Sequence, residues 1–455
     1  MGMLATATLF FLLCLTAQFP RDAAITAGTP DGMQKWGYIT IRPKAHMFWL
    51  LYKSPQRVSS PAKPWPTIMW LAGGPGVSGV GSSNFEEIGP LDVNLKPRNT
   101  TWLQKADLLF VDAPVGVGFS YVDDPSALAK TDLQVAMDVT ELIKALVNEL
   151  PTLQSSPLHL VGESYGGKFA AMIGVNIARS IRAGSLNLTL GGVVLGGSWI
   201  SPEDFALAAP LFLHSMSRMD DNAVGTAITM GITVKQQVAA QQFLAAYDTY
   251  SNLTHLIYKK SGHVNINNIM AAINTPGPEN LTDVINSVIK EEFGIIPMNL
   301  TWQEVSLNVF DALTSNFMRP AINEARKKTQ LNWIYLIVAE FMVLINSTFL
   351  QVDELLMYDV SVTVYNGQLD VICPTIGAES WLKKLKWDGL HQFLSLPRDP
   401  WQHCTPNVLT QGFVRSYKNL HFYWVIGAGH MVPMDQPCIA VHMIGNIVKS
   451  PVEVV

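Results

Sequence analysis

Apolar residues along this chain fall into two rhythms. Short apolar runs recur at Gly37–Ile41, His46–Tyr52, Thr67–Leu71, Leu108–Asp112, Leu158–Gly162, Gly192–Leu195, Val362–Tyr365 and Phe422–Ile426. Most are bounded by Gly, Pro, Asn or Asp, and they read as strands. Between Thr131 and Leu150 the rhythm changes. Leu133, Val135, Ala136, Val139, Leu142, Ile143, Leu146 and Val147 recur near i, i+3, i+4 and i+7, which predicts a helix with one apolar face, ended by Pro151. A second helix is predicted from just after Gly167 to about Arg182. Strand, tight turn and helix therefore succeed one another around Ser164. The alternation predicts an α/β fold with a central, mostly parallel sheet covered by helices.

From about Phe205 to Leu350 the pattern turns helix-like and irregular, with few clear strands, and strands resume near Val360. The core is thus expected from residues 25–204 and 351–455, with 205–350 inserted as a largely helical cap. The first 24 residues carry an apolar run through Leu9–Leu15 and end in small residues, which reads as a secretory signal peptide, although no Lys or Arg precedes the run. A second apolar run, Trp333–Ile345, is interrupted by Glu340 and falls short of the roughly 20 residues a membrane-spanning helix requires. It reads as a buried helix or strand, and no membrane span is expected.

Composition narrows the function. With 36 acidic residues against 31 basic ones in 455, no basic stripe exists to neutralise a phosphate backbone, so nucleic-acid binding is not expected. Six Asn-x-Ser/Thr sequons, at Asn99, Asn187, Asn252, Asn280, Asn299 and Asn346, fit a glycoprotein of the secretory pathway. Beyond the leader only Cys373, Cys404 and Cys438 remain, so at most one bridge forms and at least one thiol is left. No His-Glu-x-x-His, Cys/His cluster, dinucleotide glycine series or P-loop is present, and neither metal nor cofactor is implied.

Gly162-Glu-Ser-Tyr-Gly166 matches G-x-S-x-G, a strand–turn–helix elbow that presents a serine hydroxyl above a sheet. Alone the motif is weak, but the strand-like run before it and the helix-compatible run after it supply the context it needs. A serine nucleophile requires a base, and the base a carboxylate to hold its tautomer. Asp370 follows the strand-like Val362–Tyr365, and His430 follows the strand-like Phe422–Ile426. Both sit just past strand C-termini, where ligand sites in open α/β sheets gather. The run Trp70-Leu-Ala-Gly-Gly-Pro-Gly76 would turn backbone N–H groups toward a developing oxyanion.

With these blocks in place the chain resembles the serine carboxypeptidase family, most closely its retinoid-inducible or plant-type serine carboxypeptidase-like branch. The matching stretches are Phe85–Asp92, Leu108–Tyr121, Gly162–Gly167, Tyr365–Asp370 and Gly427–Pro433, in family order. The resemblance implies an α/β-hydrolase fold and a secreted or vacuolar/lysosomal exopeptidase that removes the C-terminal residue of a peptide at acid pH. It implies Ser164 as nucleophile, His430 as general base and then acid, and Asp370 as its orienting carboxylate. Backbone N–H groups of Gly74 and Tyr165 would form the oxyanion hole. The substrate's free carboxylate would meet position 72, Gly73, Glu87 and Glu163. Two carboxyls so close cannot both ionise, so one keeps its proton at acid pH and donates to the substrate.

The chain departs from the family at three places. Ala72 stands where most members carry Asn or Gln and cannot donate a hydrogen bond. Gly197 stands where Asp or Asn is usual, and its lack of a side chain is expected to loosen a supporting loop. Residues 330–350 look inserted, since members usually pass directly from a segment like Asn316–Pro320 to one like Val352–Leu356. Two other readings therefore stay open: an acyltransferase using the same triad, and a glycoprotein whose peptidase site has decayed. Cys373 and Cys438, three residues after Asp370 and eight after His430, are the candidates for a thiol near the site.

Overall fold

A computed structural model describes residues 25–58, 64–272, 281–313, 348–402, 404 and 410–451. The expected leader, the run Trp333–Ile345, nearly all of 330–350 and the sequons at Asn280 and Asn346 lie outside them.

All eight expected strands form: β2 (Gln34–Arg42), β3 (Ala45–Tyr52), β4 (Thr67–Leu71), β5 (Asp107–Val111), β7 (Leu158–Glu163), β8 (Leu190–Gly196), β9 (Val362–Gly367) and β12 (Leu420–Val425). Four more were not foreseen: β1 (Ile25–Gly28), β6 (Tyr121–Val122), β10 (Asp399–Trp401) and β11 (Gly412–Tyr417). They are short or only half-buried, so no apolar run marks them. The strands make one sheet in the order β1-β2-β3-β5-β4-β7-β8-β9-β12-β11-β10, with β6 beside β3. Its middle, from β5 to β12, is parallel. Both flanks are antiparallel, because local hairpins and meanders there need no crossover. The sheet is therefore mixed, and parallel only through the strands that carry the site.

Successive residues of the central strands face opposite layers. One layer joins Leu158, Leu160, Val193, Leu195, Val362 and Val364 to the helices α1 (Asp132–Glu149) and α3 (Tyr165–Arg182). The other joins Val161, Val194, Tyr365 and Val425 to Phe85, Ile88 and the helix Pro437–Ile447. The expected helix over 131–150 starts as its sequence dictates: Thr131 Oγ1 accepts the N–H of Gln134 and caps α1. Leu133, read as part of the apolar face, is instead 56% exposed, on the outward side with Met137 one turn on.

Between β8 and β9 the described residues form helices, chiefly α4 (Pro202–Ser215), α5 (Asp221–Ala239) and α6 (Phe243–Lys260). Ala206, Leu213, Ala227, Val234, Leu253 and Ile257 form their shared core, which also takes in Leu369 and Val371 on either side of Asp370. Among the described residues, no helix is long and apolar enough to cross a membrane.

The two helices behind the sheet are tied by a buried ion pair. Lys168 Nζ lies 3.0 Å from Asp132 Oδ2, and the Tyr165 hydroxyl donates to Asp132 Oδ1 at 2.8 Å. Removing one partner of a buried pair strands the other charge. Lys168→Ala is predicted to lower stability to chemical denaturation by about 3–5 kcal/mol. A change under about 1 kcal/mol would show that the pair is solvated like a surface one.

Candidate active site

The strand–turn–helix elbow is present. β7 ends at Glu163, α3 begins at Tyr165, and Ser164 between them holds φ 56° and ψ −123°. A non-glycine residue there costs on the order of 1–3 kcal/mol, which the surroundings must offset. The motif glycines answer a close approach of backbones: a Cβ on Gly162 would overlap the Gly166 carbonyl, and one on Gly166 the Leu71 carbonyl. Ser164 N–H donates to Gly196 O and Trp199 N–H to Ser164 O, each at 2.9 Å, so the strained residue is pinned to the end of β8. Ser164 is half-buried between fully buried neighbours, which leaves its hydroxyl within reach of a ligand.

Asp370 and His430 come from turns that follow the adjacent parallel strands β9 and β12. His430 Nδ1 lies 2.8 Å from Asp370 Oδ2, and both side chains are buried. Asp370 Oδ1 accepts the N–H groups of Ile372 and Cys373 at 2.8 and 2.9 Å. An ionised carboxylate accepts only, so the imidazole proton on this side sits on Nδ1 and leaves Nε2 as the free base. Nε2 is buried with no hydrogen-bond partner among the described residues. Ser164 is linked to this pair through the backbone at the end of β8: its N–H bonds to Gly196 O, and a Cβ on the next residue, Gly197, would stand 3.3 Å from both Asp370 Oδ2 and His430 Nδ1.

At Gly197, where a loosened loop was expected, φ is +44° and the N–H donates to Tyr365 O at 2.9 Å, which ties this position to β9.

On the other face of the sheet two carboxyls meet. Glu163, the last residue of β7, and Glu87, in the π-helical segment Gly79–Ile88, are both buried and share a hydrogen bond. Burial pushes Glu87 up to about 7, against the pull of its hydrogen bonds from Ser83 and Glu163. Burial, and next the neighbouring Glu87, hold Glu163 well above the usual carboxyl range. Glu163 therefore keeps the shared proton and donates it. Next to them Glu86 is pushed up to about 8 by burial and by Glu304.

The remaining expected residues lie where the elbow and the acid pair meet. A Cβ on Gly73 would fall 3.2 Å from Ser164 Oγ. Gly74 takes φ +104° before a cis proline, and Tyr165 opens α3. Ala72 is 4% exposed, in the same apolar layer as Tyr365.

Cys438 is not a free thiol: it pairs with Cys404, with Cα atoms 6.0 Å apart. Cys373 is the unpaired one, buried, with Sγ within 4.8 Å of ligand atoms of Asp370 and His430, and burial pushes its thiol up. The four described sequon asparagines, Asn99, Asn187, Asn252 and Asn299, are all exposed. A small apolar pocket borders the Asp370 turn, lined by Val371, Ile372, Phe205, Tyr250, Leu253 and Ile257 among others. The Asp132–Tyr165–Lys168 tether and the place of the Tyr365 side chain are not legible in the motifs that contain Tyr165 and Tyr365, because both depend on contacts between distant segments.

A nucleophile elbow with Asp and His on later strand ends defines an α/β hydrolase. Residues 25–450 match the family model described as serine carboxypeptidase. The chain is 44% identical to serine carboxypeptidase-like 51 of Arabidopsis thaliana, over 92% of this chain and 93% of that one. It is 37% identical to the retinoid-inducible serine carboxypeptidase of Mus musculus, over 96% of each. The chain belongs to the serine carboxypeptidase family of hydrolases. Its fold also matches the crystal structure of Kex1(delta)p, a prohormone-processing carboxypeptidase from Saccharomyces cerevisiae, with TM-score 0.67, 19% identity and 91% of each chain covered.

The acid pair has a thermodynamic signature. Glu87 titrates at about 7 in the folded chain against 4.5 when unperturbed, so the folded state holds the extra proton between those values. Its contribution to stability is complete below about pH 4.5 and is lost as pH rises through about 7. Between pH 4.5 and 7 wild type is predicted to lose on the order of 3 kcal/mol more than Glu87→Gln in denaturant titrations. Equal losses would mean that the pair is solvated and ionises normally.

Proposed function

We propose that this protein is a serine carboxypeptidase that removes C-terminal residues from peptides at acid pH. The observation that carries the reading is the buried Glu87–Glu163 pair, next in sequence to the half-buried Ser164 and within electrostatic reach of the buried Asp370–His430 pair. A protonated carboxyl pair is a receptor for a carboxylate, since one member can donate where two ionised acids would repel it. Gly73 is the backbone contact expected beside it.

In this reading Ser164 Oγ attacks the scissile carbonyl while His430 Nε2 takes its proton. Asp370 holds Nδ1–H and stabilises the imidazolium. The negative charge on the tetrahedral carbonyl oxygen is met by the N–H groups of Gly74 and Tyr165. His430 then gives its proton to the leaving amine, releasing the terminal amino acid and leaving an acyl-enzyme that water hydrolyses in the same way.

Entry into the secretory pathway, to an extracellular or vacuolar/lysosomal site, is supported by the apolar leader, the exposed sequons and the Cys404–Cys438 bridge. An acid compartment matches the pH at which the acid pair holds its proton.

Ala72 favours the reading of a weakened or non-catalytic site, because no side-chain amide can donate to the peptide carboxylate there. The test is hydrolysis of an N-blocked dipeptide with a free C-terminus from pH 4 to 8. Wild type is expected to release the terminal amino acid at acid pH, and Ser164→Ala to release none. Activity only with an added acyl acceptor would mark an acyltransferase, and a folded but inert wild type a decayed site. In an active enzyme Ala72→Gln restores a donor and is predicted to raise kcat/KM by about 10- to 150-fold. An unchanged kcat/KM would remove position 72 from the carboxylate site.

A further inference from the structure

Three residues stand in one row across the centre of the sheet. β7 pairs Glu163 with Gly196 of β8, and β8 pairs Gly196 with Tyr365 of β9, all in parallel register. Residues paired across a ladder point to the same face, here the face that also carries Val161 and Val194. The middle residue has no side chain, and the space is used: a Cβ on Gly196 would overlap Cζ and the hydroxyl of Tyr365. The phenol of Tyr365 thus lies across β8 toward β7. Strands are about 4.8 Å apart, so a hydroxyl over the middle strand stands one strand spacing from the Glu163 backbone, within range of its carboxyl.

The polar atoms at this spot are all short of partners. Tyr365 is fully buried and its hydroxyl has no hydrogen-bond partner among the described residues. Glu163 Oε2 and Glu87 Oε2 are buried and likewise unpartnered among them. Buried tyrosine hydroxyls ordinarily find an acceptor, and the acceptors facing this one belong to the acid pair. The electrostatics agree: after burial, Glu163 and then Glu87 are what raise the phenol of Tyr365.

The geometry points to Tyr365 as a positioning residue for the acid pair, its hydroxyl donating through one buried water to Glu163 Oε2 and so setting the pH at which the pair gives up its proton. A donor favours the ionised form of a carboxyl, so its loss moves the titration upward. The other charged or titratable groups that face the pair are Asp370 and His430 from the turns after β9 and β12, Cys373 after Asp370, Asp435 from the helix Val432–Asp435, Glu86 beside Glu87, and Arg98. All of them remain in Tyr365→Phe, which removes only the hydroxyl. The consequence for peptide turnover rests on the reading of Glu87 and Glu163 as the carboxylate site, whereas the titration itself does not.

The test is a pH titration, by infrared difference spectroscopy on the full chain, of the protonated-carboxyl stretch in wild type and Tyr365→Phe, with Glu163→Gln assigning the band. The kcat/KM profile on a blocked dipeptide is measured beside it. Tyr365→Phe is expected to move the band's midpoint upward by on the order of one pH unit, and the alkaline limb of kcat/KM with it. A band that moves while the kinetic limb stays keeps Tyr365 in this role and overturns the acid pair as the carboxylate site. A midpoint unchanged in Tyr365→Phe overturns the proposal, as does a band that survives in Glu163→Gln.

Discussion

Two carboxyl groups buried against one another can hold one proton between them and cannot both be charged. That constraint governs the arrangement of this molecule's site. Glu163 is fixed by the strand that ends in Ser164, and Glu87 by the π-helical segment packed on the opposite face. Both are shielded from bulk water, so a proton remains in place where two exposed acids would lose theirs. In the proposed function such a pair binds an anion by hydrogen bonding to an acid, with a strength that depends on pH.

The same strand couples that pair to the serine. One peptide bond separates Glu163 from Ser164, and the elbow turns their side chains to different tasks. The strain at Ser164 is borne by backbone hydrogen bonds to Gly196 and Trp199 and by the close contacts that only glycine permits at 162 and 166. Gly197 then sets the end of β8 against Asp370 and His430. The sheet centre therefore places Ser164, the Asp–His pair and the acid pair at neighbouring strand ends, while helices α4 to α6 pack over the Asp370 turn.

Much of this was legible in the sequence. The eight central strands are continuous apolar runs because both faces are covered, and such runs stand out. The flanking strands β1, β6, β10 and β11 are short or half-exposed and carry no comparable signal. Ser164, Asp370 and His430 could be read because each lies in a motif at a strand end. Tyr365 could not: its relation to Glu163 passes through the register of three strands and the absence of a side chain at Gly196, none of which is a local pattern. Leu133 misled because an apolar residue in the first turn of a helix need not face the core. Cys438 misled because closeness in sequence to His430 says nothing of Cys404, which pairs with it across a loop.

In the proposed function the acid pair is a pH-gated receptor for a peptide's free carboxylate. Isothermal titration calorimetry on Ser164→Ala tests it directly, with an N-blocked dipeptide and its C-terminal amide as ligands from pH 4.5 to 8. Affinity for the free carboxylate is predicted to fall roughly tenfold or more as pH rises through the range where Glu87 ionises, with the amide unaffected. Equal pH dependence for the two ligands would contradict it.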